Sequence, residues 1–437
     1  MFPRRTLPPA AAPIYPRDIL SGLRGLCRGS GESKRFESEL RDYYNVKHCF
    51  LLSSGKTSLA VILKALKELY PHRDEVLIPA YTCYSVPSAI VRAGLKIRLC
   101  DMDPQTLDFD FNQLSKIFTP PNSTNPLNPT NPTNPSNLLA VIPVHLYGIP
   151  CDLERLKNLI NDPEITLIED AAQAMGGERA GQKVGTVGDV GFFSLGRGKA
   201  LSTVEGGIIL TNREEIAEKI NTLIECVSQY HFIDLVGLLI KAIMLFIFLR
   251  PALFWFPKSL FFLKLGQTIY NPNFEIKKMS SFQAGMARGW RKKLKHFQTI
   301  RSKNTKHWIS ILKSIKGIQP LPITQITPNA INSLNPTKPS NPSNPSNPSN
   351  PLPPLIRFPL LVIEPGLRDK IIATSDRFGF GVMPGYPDTI NHIPEIKNLF
   401  TRQEFPGAKT LVERLITLPV LPFVAENDFI KIKADVF

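Results

Sequence analysis

None of the six cysteines (Cys27, Cys49, Cys83, Cys100, Cys151, Cys226) has CxxC or CxxH spacing. Neither a zinc site nor a disulfide framework is therefore indicated, and a reducing compartment is the simpler reading. The longest apolar run, Leu235 to Leu249, is fifteen residues and already contains Lys241, whereas a bilayer-spanning helix needs about 20. The N-terminal MFPRRTLPPAAAPIYP has two arginines but no continuous apolar segment, and its prolines oppose a signal helix, so export is not expected. The GxxxxGK[ST] spacing of a P-loop is missing as well.

What is there is abundant apolar sequence and excess positive charge. With 43% hydrophobic residues in 437, the chain can build a large core and a second, smaller domain. A net charge of +15 suits a nucleic acid, an anionic membrane or a phosphorylated substrate, and charge alone does not choose among them. No nucleic-acid motif accompanies it. The RKKLK cluster lies in a stretch from Ser280 that reads as one long basic helix, with Phe282, Met286, Trp290, Leu294 and Phe297 on one stripe. A solvated helix face is the expectation there.

Residues 168–212 organise the chain. An apolar strand ends at Asp170, a Gly-rich run follows, then a lone Lys199 among small residues, then the strand GGIILTN. A buried carboxylate can pair with a protonated ring nitrogen, and a lysine in a tight, partly dry pocket can form a Schiff base. The plainer alternative is a strand-end cap and a solvated loop charge. Upstream, HCFLLSSGKTSLAVILKALKEL reads as strand, turn and helix, so the Ser54–Thr57 turn presents free amides and a helix dipole to an anion. VLIP, KIRLCDMD, AVIPVHLYG and ITLIED alternate with helical segments, which predicts a mainly parallel sheet with ligands at the carboxyl ends of its strands. Ser54, Thr82, His145 and Asp170 all fall at such ends.

Two Asn-Pro repeats, near 120–137 and 332–354, read as disordered surface loops. The stretch 232–265 reads as a pair of apolar helices broken at Arg250-Pro251 and Pro257. It leaves two readings: buried helices in a dimer core, or a hairpin dipping into a membrane surface, held by basic residues and aromatics.

Several ordered segments resemble the DegT/DnrJ/EryC1/StrS family of pyridoxal-phosphate sugar aminotransferases. SSGKTSL is similar to the family's SGTxAL, AVIPVHLYGIPCDL to PVHLYGxxxDM, IEDAAQAMGG to EDAAQAxGA, and GDVGFFSLGRGKALSTVEGGIILTN to GDxxxFSFxxxKxxxxGEGGxxxT. VLIPAYTCYSVPSAIVRAGLKIRLCDMD, MSSFQAGM, the RSKN helix and RLITLPVLP also have counterparts. The resemblance implies an α/β fold of the aspartate aminotransferase type (fold type I): a mainly parallel central sheet with helices on both faces, plus a small C-terminal α+β domain. It implies a large pyridoxal-phosphate-binding domain over 1–225 and the small domain over 273–437, with the apolar insert over 226–272, which typical soluble members lack, between them.

Carried over residue by residue, it makes Lys199 the Schiff-base lysine and Asp170 the partner of the pyridine nitrogen. Gln173 lies on the phenolic-oxygen side of the ring, and Gly55, Lys56, Thr57 and Ser194 hold the phosphate. Cys83 stands where an aromatic usually stacks on the ring, leaving Tyr84 as the neighbouring candidate. NFEIKKM matches only loosely the Asn-Tyr-Arg segment by which a second subunit reaches the phosphate, through Asn273 and Lys278 here. A lysine at 199, where a histidine marks the dehydratase-like branch, favours amino transfer. The resemblance further implies glutamate as donor, a nucleotide-linked keto sugar as acceptor and a homodimer with shared sites. The expected lack of export gives a cytoplasmic location, and the apolar insert leaves membrane association on the cytoplasmic face as a variant. A membrane-associated binding or regulatory protein on a retained fold, or another fold-type I reaction, stays open.

Overall fold

The computed structural model describes residues 5–9, 12–118, 135–260, 265–266, 268–322 and 352–437. Most of both Asn-Pro repeats and the end of the apolar stretch lie outside these residues. Strands β1 (His48–Leu52), β2 (Glu75–Pro79), β3 (Lys96–Cys100), the short β4 (Met102–Asp103) and β5 (Asp108–Phe109), β6 (Leu138–Val141), β7 (Thr166–Asp170), the short β8 (Glu178–Arg179) and β9 (Gln182–Lys183), β10 (Val190–Ser194) and β11 (Gly207–Thr211) precede residue 212. Seven of them form one sheet in the order β1-β11-β10-β7-β6-β2-β3. From β3 to β10 neighbours run parallel, while β11 is antiparallel to both β10 and β1.

Helices cover both faces because successive side chains of each strand point to opposite sides. On one side Ile78, Ile168, Phe192 and Ile209 pack under α3 (Gly55–Leu69), α4 (Ser85–Arg92) and α7 (Glu214–Glu225). On the other, Phe193, Ile208 and Leu210 meet α2 (Ser30–Tyr44), α10 (Ser281–Met286) and the start of α11 (Trp290–Leu312). Leu77, Val141 and Leu167 there meet α5 (Phe111–Phe118) and α6 (Leu153–Leu159). The helical spacing of Leu59, Ile62, Leu63 and Leu66 places all four in the core, and Gly94, at φ +75°, ends the segment after α4 in the left-handed region that glycine accepts without strain.

Beyond α7, the helices α8 (Phe232–Phe248) and α9 (Trp255–Ser259) form the apolar insert, parted by a segment containing Pro251. The single long helix expected from Ser280 is two. Gly289, with φ +69°, takes a left-handed turn between α10 and α11, which turns the fully buried Trp290 toward Phe36 of α2. A second sheet, ordered β12-β13-β15-β14 and antiparallel throughout, follows. It comprises β12 (Ile318–Pro320), β13 (Phe358–Val362), β14 (Met383–Pro384) and β15 (Leu415–Leu418), with α12 (Leu367–Phe378), α13 (Pro406–Arg414) and α14 (Glu426–Val436). The N-terminal α1 (Pro16–Arg28) packs on α10.

Candidate active site

β7 ends on Asp170, whose main-chain N–H donates to Pro143 O at 3.0 Å. Its Oδ1 accepts the Ala172 N–H at 3.0 Å. Burial pushes the Asp170 carboxyl above its ordinary range, against the opposing pull of the Lys199 charge and the Ala172 amide. The register sets Asp170 beside Phe192 of β10, so Ser194, two residues further on, ends its strand on the same edge and pairs with Gly207.

Helix α3 starts against that edge. Ser54 caps it, its Oγ accepting the Thr57 N–H at 3.1 Å. The amides of Gly55 and Lys56 belong to the first turn, where a helix offers no acceptor and carries the positive end of its dipole. A Cβ on Gly55 would lie 2.8 Å from Ser194 Cβ, so only glycine lets the helix begin this close to β10. Lys56 is half-buried, its Nζ 4.1 Å from the Phe274 ring centroid, and burial draws its ammonium below the usual range.

Lys199 sits on the loop after β10, with its N–H on Gly196 O at 3.1 Å. Arg301 of α11 holds the next residue, Nη2 donating to Ala200 O at 3.0 Å. Among the described residues the Lys199 amine has no hydrogen-bond or ion-pair partner. One cleft is lined by Gly55, Lys56, Asp170, Gln173, Ser194 and Lys199, six of the eight residues singled out in sequence. Gln173 is fixed from both ends: Oε1 accepts the Tyr147 N–H at 3.0 Å, and Nε2 donates to the Tyr386 hydroxyl at 2.7 Å.

The other two candidates are elsewhere. The buried Thr57 hydroxyl faces the Ser53 and Ser54 hydroxyls at 3.2 and 3.0 Å, so it braces the turn. Tyr84 is turned away from the cleft, with its N–H on Thr268 Oγ1 and its hydroxyl on Asp388 O at 3.4 Å, and burial pushes that hydroxyl up to about 12. Cys83, Ser85 and Val86 line the cleft at this point, with Leu59, Ala172 and Phe192 completing the wall. Asn273 and Lys278 do not line it in a single chain.

Sequence reasoning missed Glu169. It is fully buried on the opposite side of β7 from Asp170, accepting the amides of Gly185, Val187 and Gly188 at 2.7, 2.5 and 2.5 Å. His145, also fully buried, joins it at 3.1 Å through Nε2. Because His145 Nδ1 accepts the Cys151 N–H at 3.0 Å, the neutral ring carries its proton on Nε2 and donates to Glu169. The pair ties the carboxyl end of β7 to the 185–188 segment, and neither residue lines the cleft.

A larger cavity of 650 Å³ lies beside β4 and β5, edged by acidic residues. Its two buried carboxylates are committed to backbone amides: Asp101 accepts from Met102, Gly407 and Ala408, and Asp108 from Phe109 and Asp152. That is structural work, and we assign the cavity no chemistry.

The family model described as the DegT/DnrJ/EryC1/StrS aminotransferase family matches residues 24–237, a span holding every residue of the cleft. Over residues 24–237 the chain belongs to the DegT/DnrJ/EryC1/StrS family. It is similar to GDP-perosamine synthase of Caulobacter vibrioides, 33% identical over 188 residues that cover 43% of this chain and 46% of that one. It is also similar to the L-glutamine:2-deoxy-scyllo-inosose aminotransferase of Streptomyces kanamyceticus, 35% identical over 202 residues covering 46% and 43%. The match thus spans less than half the length of these curated relatives. The whole fold has a counterpart in Helicobacter pylori PseC, an aminotransferase involved in the biosynthesis of pseudoaminic acid, with a TM-score of 0.71 at 16% identity over 99% of this chain and 98% of that one. The chain therefore has the α/β architecture that its motifs implied.

Proposed function

We propose that this chain is a pyridoxal 5'-phosphate-dependent aminotransferase that moves an amino group from an amino acid, glutamate in the first instance, to a nucleotide-linked keto sugar, in polysaccharide or secondary-metabolite biosynthesis. The observation that carries the reading is that Asp170, Lys199, Ser194 and the first turn of α3 open onto one cleft. The donor set fits the cofactor. The Lys199 amine lacks a partner among the described residues, the Gly55–Ser194 approach leaves a cradle that a Cβ would fill, and the free amides and Lys56 ammonium suit a phosphate. Bound pyridoxal phosphate supplies an electrophilic carbonyl and an electron-accepting ring.

The chain's own residues do the rest. The Asp170 carboxylate, costly to ionise in its buried setting, gains a cationic partner at the ring nitrogen and holds a proton there. Ser194 and the α3 amides fix the phosphate end. Gln173, held by Tyr147 and Tyr386, orients the opposite edge. Lys199 Nζ would anchor the cofactor and, as a free amine, would accept and return a proton at the substrate carbon. The names of the relatives, a GDP-sugar synthase and a cyclitol aminotransferase, support a polyhydroxylated acceptor. The reading includes a cytoplasmic homodimer with sites at the interface.

The test is to incubate the purified protein with pyridoxal phosphate, glutamate or glutamine, and keto sugars on nucleotide carriers, and to follow 2-oxo acid formation. Turnover that is lost in Lys199→Ala supports the proposal. Turnover retained in that variant overturns the role of Lys199, and failure of the intact chain to take up the cofactor overturns the function.

A further inference from the structure

The cofactor site leaves the apolar insert unexplained. Helix α8 buries one side, Leu238 and Ala242, against Ile14 and Ile19 of the N-terminal region and Phe282 and Met286 of α10. Its opposite side is also apolar and faces solvent. Phe232 and Ile233 are 79% and 82% exposed, and Val236, Ile240, Ile243 and Met244 continue the face at helical spacing. The adjoining α1, in contact with α8, exposes Leu20 and Leu23 one turn apart. Exposed apolar surface on this scale marks a contact site.

Charge identifies the partner. The exposed cations on these helices and the turn after α8 are Arg17, Arg24, Arg28, Lys241 and Arg250. The carboxylates of the same helices are already taken: Asp18 by the buried Lys293 and Asp234 by Lys277. Glu32, at the start of α2, is held by Arg35 and Arg288 and lies 3.8 Å from Arg28, and Glu205 lies 3.8 Å from Lys241. The face is thus apolar with a cationic margin. A twofold contact with a second copy would bring together two faces with the same cationic margin, whereas an anionic lipid surface complements both features.

Length excludes a span. Seventeen residues of helix reach about 25 Å, short of a hydrocarbon core of about 30 Å, and no helix among the described residues is long and apolar enough to cross a membrane. Trp255 and the exposed Phe256 follow at the end of α8, where Phe248 meets Phe256 at 5.6 Å. Aromatics of this kind favour the headgroup level. The geometry points to a docking surface, formed by the outer face of α8 and the basic edge of α1, that seats the protein in the plane of an anionic bilayer.

The experiment is flotation of the cofactor-loaded full chain with vesicles of phosphatidylcholine alone and of phosphatidylcholine with phosphatidylglycerol. The wild type should float with the anionic vesicles and be released by salt. Ile240→Asp/Ile243→Asp should lower its partition by about tenfold or more, with unchanged cofactor absorbance showing that the fold is kept. Arg17→Glu/Arg24→Glu, which leaves the apolar face intact, should lower binding to the anionic vesicles selectively. Equal flotation of the wild type and the α8 variant overturns the proposal. So does a wild-type oligomer in vesicle-free solution that the α8 substitutions dissociate, because the face would then be an interface between copies.

Discussion

Gln173 Nε2 donates a hydrogen bond to the Tyr386 hydroxyl across 2.7 Å, joining the loop after β7 to the segment beyond β14. Tyr386 in turn donates its main-chain N–H to the Tyr81 hydroxyl at 2.7 Å, and both tyrosine hydroxyls are pushed well up by burial. The cleft and the smaller sheet are therefore coupled through one amide side chain.

Gln173→Leu should expose the value of that coupling. It strands a buried hydroxyl and the Tyr147 N–H, at a cost of about 1–3 kcal/mol for each unsatisfied group. Urea denaturation of the cofactor-free protein measures the loss. Cofactor affinity should fall as well, since the residue lines the cleft.

Gly55→Ala should weaken cofactor binding by about tenfold or more, although alanine is the better helix former. The reason is steric, since the new methyl lies 2.8 Å from Ser194 Cβ, and overpacking of this kind costs about 1–3 kcal/mol. Adding Ser194→Gly should recover stability without recovering full affinity, because the space returns and the hydroxyl does not. Thermal unfolding together with cofactor titration separates the two effects.

Asp170→Asn should make the cofactor-free protein more stable at neutral pH. The folded Asp170 carboxyl is raised above its ordinary value of 3.8 by burial. Its contribution to stability is therefore present below that value and lost as pH rises through the folded one. Asparagine does not titrate, so the variant's advantage should grow as pH rises from about 4 to 7 and shrink on acidification. Urea midpoints across that range check it. With cofactor bound the order should reverse, because the ring nitrogen loses its anionic partner.

Glu169→Gln should cost about 3 kcal/mol or more. The carboxylate accepts from three amides and His145, and the amide nitrogen introduced there can accept none of them. Denaturation of the variant measures the loss.

Much of the cleft was legible in the sequence because it is built from strand ends. Asp170 and the Ser54–Thr57 turn are marked by the residues where apolar strands stop, Ser194 is marked by the family resemblance, and the sheet order brings all three to one edge. Tyr84 was not legible: whether residue 83 or 84 faces the ligand depends on the phase of the turn into α4, and sequence does not fix that phase. Glu169 escaped for a different reason. Alternation places it opposite Asp170, but its donors at 185–188 reach it only through tertiary folding. The stripe from Phe282 to Phe297 read as one helix because the core accepts both α10 and α11, while the left-handed Gly289 between them carries no periodic signal.

The central claim is that Lys199 is the residue that anchors the cofactor opposite Asp170. Borohydride reduction of the cofactor-loaded protein, followed by peptide mass mapping, tests it directly because a second amine, Lys56, lines the same cleft. The account predicts a pyridoxyl mass on the peptide containing Lys199 and none on that containing Lys56. Label on Lys56, or on no lysine at all, would contradict it.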